Sequence, residues 1–344
     1  MDYKSYFYSY LIYVFTFLLS CGCVYIAEKK GVFHNLFRLL AIVIPSITAT
    51  YRESGIDLNT YKIIYNHLRA GNDYNIEFSW KLLNRLSPSF EILLFITAII
   101  FLGAAYVAIC NFIKKDRTLA WFIFLMVCYS AFLNIMRQMI AVTIVFAGIS
   151  FYYHKKSLNF LLCILLASTF HTSALFMIII PAYWIFIKKI RSQEWVILLL
   201  SLIFSLGTPL LLKIVEYIGV YTGYASSLGE SLSLGFLVYA LPPLFFYHTQ
   251  KRMLGNNNYV IYCLSLYLLM IPFQFLGMQM RAADRIMLYF QIMIVILVPL
   301  IIQAYDQKFK KHYLRSVYVV WFIFHYVILN IVLSGNGAYP YRIF

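Results

Sequence analysis

The sequence predicts an all-α, polytopic integral membrane protein of about twelve transmembrane segments, organised as a single membrane domain over residues 1–344. Three observations lead there. Of the 344 residues, 62% are hydrophobic and only 12% are charged, about half the charged share of a soluble domain. Apolar runs near the length of a bilayer span recur along the chain. The basic residues gather in the short loops between those runs. With a mean hydropathy of +0.78, a water-soluble fold has no way to cover so much apolar surface. Disordered, collagenous and disulfide-rich classes are excluded by the same figures.

Taken in order, the apolar segments are 8–27, 36–50, 90–112, 118–133, 138–153, 157–170, 172–187, 195–214, 233–247, 259–276, 286–303 and 316–333. Most are near the required span of about 20 residues, but several are short. The pairs in 118–153 and 157–187 are each too long for one helix and short for two. Broken or re-entrant helices lining a cavity are the expectation there. The first segment is read as a retained helix. It has one basic residue ahead of it, Lys4, and no small-x-small cleavage site, and Leu18-Leu19-Ser20-Cys21 fits a lipoprotein box poorly.

The net charge of +15 is distributed in a way that decides its meaning. Seventeen Lys/Arg, including Lys29-Lys30, Lys114-Lys115, Arg117, Lys155-Lys156 and Lys308 to Arg315, fall on one side with four acids, Glu28, Asp116, Glu194 and Asp306. The other side keeps eleven basic and nine acidic residues. By the positive-inside rule the basic side is cytoplasmic, so both termini lie outside. A nucleic-acid partner is excluded, because such a protein collects its charge on one soluble face. The six cysteines all sit in apolar runs and read as buried thiols without disulfides. No His/Cys cluster has metal-ligand spacing, and phosphate-loop and nucleophile-elbow motifs are missing.

Polar groups on the outer side fall in four places. The longest hydrophilic stretch, residues 51–89, is an outer loop with an amphipathic helix. Asp57 is placed as that helix's N-cap, its carboxylate accepting a free backbone N–H. Asp57, Tyr61 and Tyr65 recur every four residues and share a face. Glu77, Phe78 and Trp80 follow, so the loop offers carboxylates and aromatic rings together, as a sugar site requires; a helix lying on the membrane surface is the plainer alternative. Asn134 to Gln138 is the second place, an outer bend in a stretch otherwise free of charge from Thr118 to Tyr153. Arg137 there needs a cavity or a partner, and Asn134, three residues earlier, is taken to share its helical face. Snorkelling to headgroups is the alternative. The third is His171, the only Asp, Glu, His, Lys or Arg between Lys156 and Lys188, suited to act as base or donor near neutral pH, or else a satisfied core histidine. The fourth is Arg281, Asp284 and Arg285, spaced so that one helical face carries two guanidiniums and a carboxylate to orient them. Arg52, Arg137, Arg281 and Arg285 thus lie at outer segment ends. Guanidinium suits bidentate phosphate binding, so the ligand these residues fit is a phosphate-bearing molecule, such as a lipid-linked pyrophosphate whose tail stays in the membrane lipid.

Tyr51-Arg52-x-x-Gly55-x-Asp57 with Tyr61 and Tyr65, then Asn134-x-x-Arg137-Gln138-x-Ile140-Ala141, then Phe170-His171-x-Ser173-Ala174-Leu175, resemble the EpsG-like family of Wzy-type polymerases. Arg281 to Arg285 is similar to the late arginine-bearing segment of that family. The resemblance covers roughly residues 51–289. It implies a GT-C-like, metal-independent and cofactor-free glycosyltransferase that joins undecaprenyl-pyrophosphate-linked repeat units into O antigen, capsule or exopolysaccharide. The reaction would take place at the outer face of a bacterial plasma membrane, alongside a flippase and a chain-length regulator of the same pathway. On that view His171 is the first choice for base and Asp57 the second. Arg137, Arg281 and Arg285 take the pyrophosphates. Arg52, Tyr61, Tyr65, Asn134, Gln138 and Asp284 bind or position sugar.

Two rivals share the membrane architecture. A repeat-unit flippase would carry cationic residues deep in several helices, whereas here the arginines sit at segment ends. A membrane O-acyltransferase would also use a histidine, but an outer face rich in arginine suits pyrophosphate better.

Overall fold

The structure, a computed structural model, describes residues 3–29, 31–187, 258–277, 281–305 and 308–342, together with 189, 196, 199, 200, 203 and 207. All of its regular elements are helical. In chain order they are α1 (Tyr3–Glu28), α2 (His34–Thr50), α3 (Leu58–Arg69), α4 (Phe78–Leu86), α5 (Phe90–Phe112) and α6 (Arg117–Phe124). A π-turn (Leu125–Tyr129) leads into α7 (Ser130–Asn134), followed by α8 (Met136–Tyr153), α9 (Ser157–Ser168), a 3-10 helix (Thr172–Ile179) and α10 (Ile180–Ile187). Then come α11 (Asn258–Leu268), α12 (Met270–Gly277), α13 (Arg281–Gln291), α14 (Ile294–Gln303) and α15 (Lys308–Val327), the last closed by a π-turn (Ile328–Val332). Among the described residues no strand occurs.

Among the described residues, six stretches are long and apolar enough to cross a membrane: Phe7–Glu28, Phe90–Phe112, Arg117–Asn134, Met136–Tyr153, Arg285–Gln303 and Phe309–Val332. Four shorter apolar stretches join them, His34–Thr50, Ser157–Ser168, Thr172–Ile187 and Val260–Gln274. The protein is therefore an all-helical, polytopic membrane protein, as its composition required. Ten of the twelve expected segments correspond to these helices; segment 233–247 lies outside the described residues, and so does 195–214 apart from residues 196, 199, 200, 203 and 207. The two doubtful pairs resolve differently. Residues 118–153 form two spans of 18 residues each, about 27 Å long, meeting at Ile135. Residues 157–187 are broken, because the 12-residue α9 reaches only about 18 Å before the chain turns at 169–171 and continues as a 3-10 helix.

The chain forms two compact units, one of residues 1–175 with 312–344 and the other of residues 176–311. In the first, α8 is buried along most of its length and packs between α5 and α9, while α2 packs on α1 and α5 and α1 also meets α6. Pro45 inside α2 cannot donate to the carbonyl four residues back, which is that of Ala41. Ser20 on α1 fills the gap, its hydroxyl donating to Ala41 O at 2.6 Å while accepting from Trp121 Nε1 of α6 at 2.8 Å. The Tyr129 hydroxyl donates to Pro45 O at 2.6 Å. In an apolar medium each backbone group freed by a helix irregularity needs such a partner, so the proline fixes where four elements meet. In the second unit, α10 meets α11 through Tyr183 OH on Ser265 O at 3.1 Å and an edge-on Trp184–Tyr262 pair. The Phe273 and Phe290 rings of α12 and α13 stack at 5.3 Å.

The two ends of the first unit differ in the charged groups they gather. One end gathers Glu28, which accepts from Arg117 N and the Thr118 hydroxyl, and the Asp116–Arg315 pair. The opposite end gathers the 51–89 region and both chain ends: Tyr341 N donates to Ser9 Oγ at 2.7 Å and Glu53 N to Arg342 O at 2.7 Å.

Candidate functional site

The site is built on the break at Ile135, whose backbone (φ −102°, ψ 60°) ends α7 and starts α8. A continuous helix would bond Leu133 O to the N–H of residue 137. Here that carbonyl accepts instead from Arg52 Nη2 at 3.1 Å. Arg52 is wholly buried; its Nη1 is hydrogen-bonded to Ala49 O and its Nη2 also lies 3.3 Å from Met136 Sδ. Burial lowers its pKa from the ordinary value, and Tyr129, Tyr13, Tyr341 and Tyr61 around it oppose that shift. Arg52 thus braces the loop after α2 onto the helix break from beneath.

Gly55 allows this docking. Its φ of +128° lies in the region that suits glycine, and a Cβ there would come within 2.8 Å of Leu133 O. Two residues on, Asp57 N donates to Asn134 Oδ1 at 3.1 Å. Asp57 is the N-cap residue of α3, but its carboxylate makes no capping hydrogen bond; the expected capping interaction is absent, and Asp57 instead spends its N–H on Asn134. The two residues are therefore joined across the chain. Asn134 and Arg137 do not share one helical face, because the break at Ile135 separates them.

On α3, Tyr61 and Tyr65 form the buried face. The Tyr61 ring packs on Trp80 at 5.2 Å, and the Tyr65 hydroxyl donates to Ser87 O at 3.0 Å. Burial pushes the Tyr61 phenol above its usual pKa, and the Arg137 guanidinium, hydrogen-bonded to it, pulls the other way. The turn between α3 and α4 is closed by Asp73, which accepts from Lys81 at 2.6 Å and pairs with Arg85 at 3.4 Å. That Lys81 contact holds the exposed Asp73 carboxyl below the usual carboxylate range.

α4 starts at Glu77, whose extended backbone (φ −61°, ψ 147°) leaves its side chain free of capping bonds. Two contacts seat this start against the end of α9: Ser79 N on Thr169 O at 2.9 Å and Ser79 Oγ with Thr169 Oγ1 at 2.7 Å. Glu77 thereby comes between a guanidinium and an imidazole. Its Oε2 pairs with Arg137 Nη1 at 2.5 Å, and its Oε1 lies 3.6 Å from His171 Nδ1. The side chains are 14% exposed for Glu77, 29% for Arg137 and 16% for His171, so the cluster is enclosed but open on the arginine side. His171 itself forms the bend after α9, its N–H bonded to Ala167 O and its carbonyl to Ala174 N, both at 3.0 Å.

The structure thus brings Asp57, Tyr61, Asn134, Arg137 and His171 to one end of the first unit. Gln138, next to Arg137 on α8, is buried, and Tyr65 and Arg52 support the cluster from within. Arg281, Asp284 and Arg285 fall on one helix, α13, of the second unit. Arg285 is half-buried there; the side chains of Arg281 and Asp284 lie outside the described residues. Glu77 was noted in the sequence only as an acid among aromatics. Nothing local marked it, since its partner Arg137 stands 60 residues away. The C-terminal segment was missed too: Gly337, at φ +61°, packs on Ile56, and the Tyr341 hydroxyl donates to Thr48 O at 2.9 Å. Among the described residues no group of three His, Cys, Asp or Glu side chains gathers as a metal site.

Compared with known proteins, the chain matches the EpsG family over residues 35–343. It belongs to the EpsG family. No curated protein matches the chain, and no solved structure does. EpsG proteins are Wzy-like polymerases, so this is a membrane protein of the polysaccharide polymerase type, with glycosyltransferase-like chemistry. The match includes every member of the cluster described above. It also includes the C-terminal segment against which residues 53–56 pack, so the EpsG match extends past the last motif read in the sequence.

Proposed function

We propose that this EpsG protein joins undecaprenyl-pyrophosphate-linked repeat units at the outer face of a bacterial plasma membrane, with both termini on that side. The observation that carries the reading is the placement of Arg137 and His171 on either side of one carboxylate, at the unit's end opposite the basic loops. Arg137 binds the pyrophosphate of the donor. As the bond between the anomeric carbon and the pyrophosphate oxygen breaks, the electron pair leaves with undecaprenyl pyrophosphate, and a preorganised guanidinium stabilises that growing charge. The acceptor sugar's hydroxyl oxygen forms the new bond to the anomeric carbon and gives its proton to His171. Tyr61, bonded to Arg137, and Asp57, one turn before it at the start of α3, present a phenol and a carboxylate for sugar hydroxyls, and Arg52 keeps the loop that bears them in place.

Surface polysaccharide from a deletion strain, run on a gel beside strains complemented with wild type and with His171→Ala, tests this. The expected result is high-mass polymer with wild type only, and single repeat units outside the membrane with the deletion and the variant. Single units held on the cytoplasmic side would point to a flippase, and full-length polymer of lighter repeats to an O-acyltransferase.

A further inference from the structure

We propose that Glu77 is a positioning residue that changes partner when the donor arrives, leaving Arg137 for the Nδ1–H of His171 as the pyrophosphate takes over the guanidinium. This rests on the polymerase reading, and it adds a residue and a sequence of events to it. Arg137 is paired with Glu77 at 2.5 Å, so its charge is already balanced by a carboxylate. A carboxylate and a pyrophosphate on one guanidinium repel each other, and the pyrophosphate carries the larger charge. Arg137 is also the most open of the three side chains, so the incoming anion reaches it without first passing the carboxylate.

Glu77 has a second partner within reach. Its Oε1 stands 3.6 Å from His171 Nδ1, a few tenths of an ångström beyond a hydrogen bond. The backbone at α4 is held against α9 through Ser79 and Thr169, so rotation of one flexible side chain closes the gap and no helix moves. Tyr61 contacts Arg137, and the Asp57 backbone is tied to Asn134. Once on Nδ1–H, the carboxylate fixes the tautomer that leaves Nε2 as the proton acceptor and stabilises the imidazolium formed when the acceptor hydroxyl is deprotonated. The base is thereby armed when the leaving group is bound.

The test uses the full chain in nanodiscs. Inorganic pyrophosphate and undecaprenyl pyrophosphate are titrated calorimetrically, and elongation is followed on lipid-linked repeat units extracted from the host. In Glu77→Gln, which gives up the charge on Arg137, pyrophosphate binding should tighten several-fold while turnover falls by about 10²-fold, within the usual worth of a positioned base. Glu77→Asp, too short to span both partners, should recover part of the turnover, and Glu77→Gln with Arg137→Ala should lose the tighter binding. A residue with a merely structural role would weaken both properties together. Weaker pyrophosphate binding in a Glu77→Gln protein that unfolds at the wild-type temperature would overturn the proposal, as would unchanged turnover. If Glu77→Gln does not fold, tighter pyrophosphate binding in Glu77→Asp supports the exchange and weaker binding overturns it. Absence of elongation by wild type would sink the polymerase reading alone, because the inorganic pyrophosphate titration still reads the exchange at Arg137.

Discussion

Both ends of the first unit carry an arginine–carboxylate pair, and the two pairs stand in different surroundings. At the basic end, Asp116 pairs with Arg315, which is 45% exposed, and Glu28 accepts from the first residues of α6. Each acid there has a stitching role, holding α1 or α15 to the α5–α6 turn. At the opposite end, Glu77 lies between Arg137, which also bonds Tyr61, and His171. The difference is the third group. A carboxylate with one cation fastens helices, whereas a carboxylate between a guanidinium and an imidazole sets an anion-binding group beside a group that can take up a proton. An ion pair alone therefore does not mark a site in this fold.

The largest expected effects break that comparison if they fail. His171→Ala should reduce polymer formation by about 10²–10⁴-fold, and Arg137→Ala by about 10²–10³-fold, measured as elongation per folded protein in membranes. Arg137→Lys should not restore activity, because an ammonium lacks the bidentate fork; full activity in that variant would remove the anion role. Arg52→Ala comes next. It leaves Leu133 O and Ala49 O bare, at about 1–3 kcal/mol for each buried acceptor, and should lower the thermal midpoint in detergent. If Arg52 braces rather than binds, activity per folded protein should survive.

Gly55→Ala sharpens the same point about the loop. The strained φ alone costs about 1–3 kcal/mol, and the 2.8 Å approach to Leu133 O must also be relieved, so a lower midpoint with reduced elongation is expected. Arg315→Ala should be the mildest, within about 1 kcal/mol, as for an exposed pair. A loss of elongation in that variant comparable to Arg137→Ala would erase the distinction between the ends.

Much of this was legible in the chain. The apolar runs located ten helices, because a lipid-facing helix has to be apolar along its whole length. The lone charges pointed to Arg137 and His171, because an ionisable group near hydrocarbon is costly without a use. Glu77 was not legible: it sits in a polar loop where acids are ordinary, and its meaning lies in two partners brought by α8 and α9. Asp57 does stand at the N-cap of α3, but the capping bond expected of its carboxylate is absent. Asn134, placed by the broken helix, took its backbone N–H, while its carboxylate was left unbonded to the helix end.

By itself, the sequence determined the membrane and the helical class, and it singled out Arg137 and His171 as costly near hydrocarbon, since each of these follows from how single side chains partition between water and lipid. Only the tertiary structure decided that Arg52 lies beneath the loop, that Asn134 and Arg137 stand on opposite sides of a helix break, and that Glu77 joins Arg137 to His171. Those facts depend on which carbonyls a proline and a break at Ile135 leave bare, and on which side chains from distant segments arrive to satisfy them.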